Sequence, residues 1–207
     1  MGKVYVVVEG ETEETFVDEL LAPHLNALGH RLVLLPEEIQ NYSRVKKRVR
    51  SLLRDTTASL VTTMFDYYGL PKKFPGRKKP EGVRTLDKVR FVEAQFRADI
   101  GDPRFHPYLS LHEFEALLFS DPGKIALALG LDDRLTTRLS RIRASFPTPE
   151  DIDDDPTTAP SKRLVAVFPG YVKPIDGVRI ANDIGLETIR QECPHFNDWL
   201  TLLDGIG

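Results

Sequence analysis

The stretch Val4-Tyr5-Val6-Val7-Val8, followed at once by Glu9-Gly10-Glu11-Thr12-Glu13, constrains this chain more than any other. Five consecutive apolar or aromatic residues, four of them β-branched, suit a short strand buried on both faces, as in a parallel sheet covered by helices. The run then stops in carboxylates and a glycine. In open parallel α/β sheets, ligands collect beyond the carboxyl ends of the strands, where loops vary above a rigid frame. Glu9 is therefore the first candidate functional residue.

Beyond it, residues 15–28 place Phe16, Val17, Leu20, Leu21, His24, Leu25 and Leu28 on one helical face behind an acidic first turn, and Pro23 is expected to kink or divide that helix. Residues 31–35 read as a second strand. Residues 43–55 read as a helix with Val45, Val49, Leu52 and Leu53 inward and Ser43 as its N-cap. Residues 60–65 form a third strand that stops at Asp66. From Tyr68 to about Gly82 runs a loop rich in Pro, Gly and Lys, with too little apolar material to pack by itself and expected to be mobile until an anion binds it. Residues 85–100 resume helical spacing, and 105–111 read as a fourth strand that Pro107 assigns to an edge or delays. A helix starts near His112. Thereafter the pattern is wholly helical: 124–129, 132–145, 161–168, 175–191 and 195–203.

The order βαβαβαβ followed by helices predicts an α/β fold, with a mostly parallel sheet of about four strands flanked by helices. Residues 1–121 would form this core and residues 122–207 a helical C-terminal extension packed on it. A chain of 207 residues can bury one sizeable core of this kind. The longest apolar runs are far too short to span a bilayer and no secretory leader is evident, which makes a cytoplasmic location the expectation. One cysteine, Cys193, excludes an internal disulfide framework and a cysteine-based zinc cluster. It reads as a packed helix residue.

The net charge of −3 conceals a local asymmetry. Between Arg44 and Lys79 eleven basic residues face two acids, Asp55 and Asp66, an excess of nine positive charges. A polyanion is the partner such a segment suits. Lys46, Lys47 and Arg50 on the helix, and Lys72, Lys73, Arg77, Lys78 and Lys79 on the loop, are the candidate phosphate contacts. Such contacts hold a nucleic-acid backbone without reading sequence. The acidic run from Glu150 to Asp155 reads as a solvated, mobile loop.

Three strands end in acids: Glu9 after the first, Asp66 after the third, and Glu113 with Glu115 just after the fourth. In a parallel sheet these carboxylates converge on one edge. Clustered carboxylates repel unless a cation neutralises them, and oxygen ligands suit Mg²⁺ or Mn²⁺. A metal there could polarise a phosphodiester and activate water. Glu11, Glu13 and Glu14 read instead as helix-start acids, which the helix dipole favours. Residues two apart on a helix point apart, so Glu113 and Glu115 could share a metal only if the segment is still extended there. His112 is open between a ligand, a proton shuttle, a phosphate contact and a capping or packed histidine. Tyr67 and Tyr68 read as packing residues, with base stacking as the alternative.

Val8-Glu9-Gly10-Glu11-Thr12-Glu13 resembles the first motif of the Toprim domains found in topoisomerases, primases and overcoming-lysogenization-defect nucleases, in which a glutamate closes the first strand before a glycine. Phe65-Asp66-Tyr67-Tyr68-Gly69-Leu70-Pro71, together with His112-Glu113-Phe114-Glu115-Ala116-Leu117-Leu118-Phe119, is more similar to the bacterial Toprim-like family known as domain-of-unknown-function family 4276. The resemblance covers most of the chain. It implies a compact Toprim-like, Rossmann-like fold and divalent-metal phosphoryl transfer on nucleic acid, with the first glutamate as acid/base or ligand. Some relatives of the closer family sit in phage-defence settings. Toprim domains usually carry Asp-x-Asp where this chain has Asp66-Tyr67-Tyr68, so the second metal-binding acid is absent at that position.

Together these features lead to a metal-dependent nuclease with Glu9, Asp66 and His112 in catalysis and Glu9, Asp66, Glu113 and Glu115 on Mg²⁺ or Mn²⁺. Two alternatives stand beside it. One is a non-catalytic module binding nucleic acid or a nucleotide; the other is a subunit of a defence or toxin complex that acts with a protein partner.

Overall fold

The computed structural model describes residues 2–77, 84–152 and 157–206. Contacts divide the chain into two units, residues 1–111 with 201–207, and residues 112–200. The line thus falls after Leu111, ten residues before the one drawn from sequence at 121.

The first unit is the expected α/β structure, with five strands rather than about four. Its elements are β1 Lys3–Val8, α1 Glu11–Phe16, α2 Ala22–Ala27, β2 Arg31–Pro36, α3 Tyr42–Leu52, β3 Ala58–Asp66, α4 Thr85–Ile100, β4 Phe105–His106 and β5 Leu109–Ser110. The sheet order is β2-β1-β3-β4, with β5 also on β3, and every one of these pairings is parallel. The central position of β1 explains its unbroken apolar run: Val4, Val6, Val7 and Val8 are all fully buried. Val7 joins Val61 and Phe65 in a core completed by Val45 and Val49 of α3 and by Val89, Val92 and Phe96 of α4.

Local departures from the sequence expectation have physical causes. Pro23 neither breaks nor sharply ends its helix. A π-helical turn, Val17–Leu21, lies between α1 and α2 and leaves Pro23 in the first turn of the latter, where a missing N–H is tolerated. The N-cap of α3 is Asn41 rather than Ser43, its side chain accepting from the Arg44 N–H at 3.3 Å. Pro107 splits the fourth strand into β4 and β5. Two buried threonines of β3 bridge the gap: Thr62 Oγ1 donates to the His106 carbonyl at 2.5 Å and Thr63 Oγ1 to the Tyr108 carbonyl at 3.1 Å.

The second unit contains α5 Glu115–Leu118, α6 Pro122–Leu129, α7 Asp133–Ala144, α8 Pro160–Val167, α9 Val178–Ile184, α10 Leu186–Glu192 and most of α11 Pro194–Asp204. Asp121 and Asp132 cap α6 and α7 with their side chains. The single helix expected over 175–191 is divided at Gly185, whose φ of +82° is open to glycine but strained for other residues. The acidic run is not a mobile loop at its start. Glu150 is buried and accepts the His195 N–H at 2.8 Å and the Phe196 N–H at 3.0 Å, closing the N-terminus of α11. Asp153, Asp154 and Asp155 lie outside the described residues. Among the described residues no helix is long and apolar enough to cross a membrane.

Candidate functional site

Register decides what meets at the sheet edge. Val8 of β1 lies opposite Met64 of β3, so Glu9 leaves the sheet next to the last residues of β3. The third strand runs longer than expected and takes in Asp66 as its final residue. The Asp66 backbone N–H donates to Glu9 Oε2 at 3.3 Å, so the two acids singled out from sequence are neighbours, both half-buried.

The turn after β3 shapes the space around them. Residues Tyr67–Gly69 form a 3₁₀ turn, and a Cβ placed on Gly69 would stand 2.9 Å from Glu9 Oε1, 3.0 Å from Oε2 and 3.1 Å from Ile39 Cδ1. Only a residue without a side chain leaves that carboxylate where it is. Gln40 Nε2 donates to the Gly69 carbonyl at 3.1 Å and holds the turn. In the sequence Gly69 stands only as part of a motif and Glu13 only as a helix-start acid. Glu11 is exposed, whereas Glu13 is only 3 % exposed, and the Glu13 Oε2 lies 3.4 Å from where a Gly10 Cβ would be. The glycine three residues before it was the available signal.

The 67–77 segment corrects the expectation of a loop awaiting an anion. Leu70 and Phe74 are buried in the main core, Phe74 meeting the rings of Tyr42 and Phe96 edge-on at 4.9 Å each. Tyr67 is buried, as a packing residue would be, and the Arg77 guanidinium lies 4.1 Å over its ring. Lys72 and Lys73 are exposed, and Lys78 and Lys79 lie outside the described residues.

Much of the positive charge on α3 is matched within the unit. Arg44 pairs with Glu37 at 2.6 Å and Glu38 at 3.3 Å, Arg48 with Glu37 at 2.9 Å, and Lys46 with Asp99 at 2.7 Å. Arg50 donates to the Asp99 carbonyl at 3.2 Å, and Lys47 is exposed. Hydrogen bonds from Lys46 and from the Tyr42 hydroxyl hold the Asp99 carboxyl below its ordinary range.

His112, Glu113 and Glu115 belong to the second unit. His112 is buried. The helix begins only at Glu115, so Glu113 sits in the non-helical approach, where its Oε2 accepts the Ser161 N–H at 3.0 Å in the first turn of α8. Glu115 is 1 % exposed, with Lys173 Nζ 3.5 Å from its Oε2. Burial, reinforced by the Glu115 charge, pushes the nearby Tyr171 hydroxyl well up. Cys193 is buried 3.3 Å from Ser120 Oγ, and burial raises its thiol far above the ordinary value. That is an inert thiol.

Among the described residues no three His, Cys, Asp or Glu side chains come together in an arrangement able to hold a metal. Glu9 and Asp66, the two half-buried acids at this edge, are of the oxygen-ligand type that a hard divalent ion takes. Mg²⁺ is commonly held through one or two carboxylates while keeping waters and substrate phosphates as its other ligands, and the glycine at 69 is what lets the Glu9 carboxylate lie where it does.

The fold and this edge define an α/β protein with a parallel sheet and two half-buried acids at adjacent strand ends, joined through the Asp66 N–H. The chain belongs to the family described as Domain of unknown function (DUF4276), whose model matches residues 8–204. Among solved structures it is similar to the C-terminal region of the Burkholderia pseudomallei OLD protein, at 17% identity and a TM-score of 0.46, covering 97% of this chain and 99% of that one. It is also similar to the C-terminal region of the Xanthomonas campestris pv. campestris OLD protein, at 15% identity and a TM-score of 0.40, covering 98% of each. No curated protein matches it.

Proposed function

We propose that this protein is a divalent-metal-dependent nuclease, or a related phosphoryl-transfer enzyme, acting on nucleic acid. The observation that carries this reading is the pairing of Glu9 and Asp66 at the ends of adjacent parallel strands, with Gly69 leaving the space that the Glu9 carboxylate occupies. Glu9 and Asp66 are the residues that would hold Mg²⁺ or Mn²⁺. Bound there, such an ion supplies Lewis-acid polarisation of a phosphodiester and a water acidic enough to be deprotonated near neutral pH. Glu9 is placed to act as a ligand or to take a proton, and the Asp66 N–H fixes the direction of its carboxylate. Glu113 and Glu115 have interactions of their own in the N-terminus of α8 and Lys173, so the reading rests on the first two acids.

The test is cleavage of DNA and RNA with added Mg²⁺ or Mn²⁺. Activity is expected to disappear in Glu9→Gln and Asp66→Asn variants that retain the wild-type melting temperature, and retained activity in both overturns the reading. A second reading is a non-catalytic module that holds nucleic acid. It is favoured by the missing Asp at Tyr68 and by the absence of a three-ligand cluster among the described residues. Salt-sensitive binding with no metal-dependent turnover is its signature. Action within a defence complex is the biological setting that the family resemblance suggests, and activity gained only on co-expression with a partner would mark it.

A further inference from the structure

We propose that the arginine face of α7 is a second nucleic-acid contact, gripping the phosphate backbone. This rests on the nucleic-acid reading above but uses a different unit and different residues. Arg134, Arg138 and Arg141 are exposed on α7 and, with Leu135 and Thr137, line an open groove of about 500 Å³. At about 100° per residue the three arginines fall within roughly 60° of arc, and Thr137 lies just beside them. Leu139, fully buried, is turned well away from that face. The only acid of α7, Asp133, also points away from the stripe.

The contrast with α3 makes this stripe informative. There the basic side chains are met by Glu37, Glu38 and Asp99. On α7, Arg138 donates to the Ala166 carbonyl at 3.3 Å, while among the described residues no carboxylate pairs with Arg134 or Arg141. Like charges three and four residues apart weaken a helix, so the arrangement gains from an anion lying across it. The stripe spans about 10 Å along the axis, at about 1.5 Å per residue. A nucleic-acid strand in a duplex carries a charge about every 3.4 Å of axis, so roughly three phosphates match the span. Arginine forks bind phosphate oxygens in pairs, whereas the Thr137 hydroxyl is committed to the Asp133 carbonyl at 2.8 Å and leaves the grip to the arginines.

The test measures binding of a short fluorescent oligonucleotide, single-stranded and duplex, by anisotropy in EDTA, across a series of KCl concentrations. In R134A/R138A/R141A the affinity is expected to fall at least about tenfold, and the slope of log K against log salt to flatten by about two to three. R134A/R141A, which removes no hydrogen bond to the rest of the unit, should flatten it by about two. Both variants should melt like the wild type. Wild-type affinity and slope in the triple variant overturn the proposal while leaving the nuclease reading intact. Loss of cleavage in Glu9→Gln with binding unchanged keeps the two sites separate, as proposed. A wild-type protein that binds neither oligonucleotide overturns the proposal, and one that also fails to cleave with added Mn²⁺ overturns the nuclease reading. Competition by poly-glutamate as strong per charge as by the single strand overturns the assignment to a phosphate backbone.

Discussion

Replacing Gly69 by alanine separates the fold from the site. The added methyl would meet the Glu9 oxygens at 2.9 and 3.0 Å, and ordinary contact for a Cβ begins at 3.4 Å. The carboxylate, the free end of a side chain, must therefore retreat by about 0.5 Å, the difference between the contact it would suffer and the one it can bear. Misplacing a reacting group by about 1 Å costs on the order of a hundredfold in rate, so half that distance costs roughly tenfold. In energy this is about 1.4 kcal/mol. The backbone at Gly69 does not occupy the left-handed region, so alanine is sterically admissible there. Alanine lowers the entropy of the unfolded chain by about 0.4–1 kcal/mol, which offsets the close contact with Ile39. The melting temperature should then stay within a few degrees of wild type, while the Mn²⁺ affinity measured by calorimetry and kcat/KM for cleavage each fall about tenfold. A variant with wild-type Mn²⁺ affinity and cleavage refutes the crowding of Glu9. A variant that melts far lower, with metal binding intact, refutes the site role and makes Gly69 a packing residue.

Other expectations follow from buried groups. Phe74→Ala removes a ring 3 % exposed that packs edge-on against Tyr42 and Phe96, and should destabilise the protein by about 3–5 kcal/mol in urea melts. A loss below about 1 kcal/mol would show that the 67–77 segment is not anchored by it. Glu150 has its carboxyl raised by burial, so the folded state holds its proton more tightly than the unfolded state does. Its contribution is complete below the ordinary value of 4.5 and is lost as pH rises through the folded value. Glu150→Gln does not titrate. Wild-type Tm should therefore decline relative to this variant as pH rises above about 4.5, and a Tm difference constant to pH 8 sinks the assignment.

How much was legible depends on whether the cause was local. The buried strand at Val4–Val8 and the third strand declared themselves because a central parallel strand needs apolar residues on both faces. The helix over 85–100 did so through its spacing, and Gly101 stops it in the left-handed conformation. Where a distant residue supplied the missing hydrogen bond, the sequence was silent. Thr62 and Thr63 look like ordinary strand residues, yet their hydroxyls carry the sheet past Pro107. Glu150 sits in a run of acids that composition assigns to solvent, and only the folded chain brings the N-terminus of α11 onto it. The same holds for charge. The eleven basic residues between 44 and 79 stood out because their counterions Glu37, Glu38 and Asp99 lie outside that window. The arginines of α7 form no such run in the sequence, although Arg134 and Arg141 keep their charge exposed.

At the sheet edge, the two acids chosen from sequence do meet, for a reason the alternating pattern contains: parallel neighbours in register end on the same side. What the pattern could not contain is the shape of the turn beyond. Comparison with Asp-x-Asp draws the eye to Tyr68, where a carboxylate is missing, and makes the edge look like a depleted metal site. In the fold the consequential residue is the next one. A side chain at 69 would press on Glu9, whereas Tyr68 packs partly against the main core. A second acid at 68 would add negative charge beside two carboxylates and raise the cost of keeping them ionised without a cation. On the reading proposed above, an edge with two acids instead of three would tolerate an empty state more easily and hold an ion more weakly, leaving more of the coordination sphere to water and substrate phosphate. On that logic metal affinity should rise markedly when a phosphate-bearing oligonucleotide is present. Mn²⁺ titrations of the wild type with and without a non-cleavable phosphorothioate strand measure this, and equal affinities in the two would mean that the nucleic acid does not complete the site.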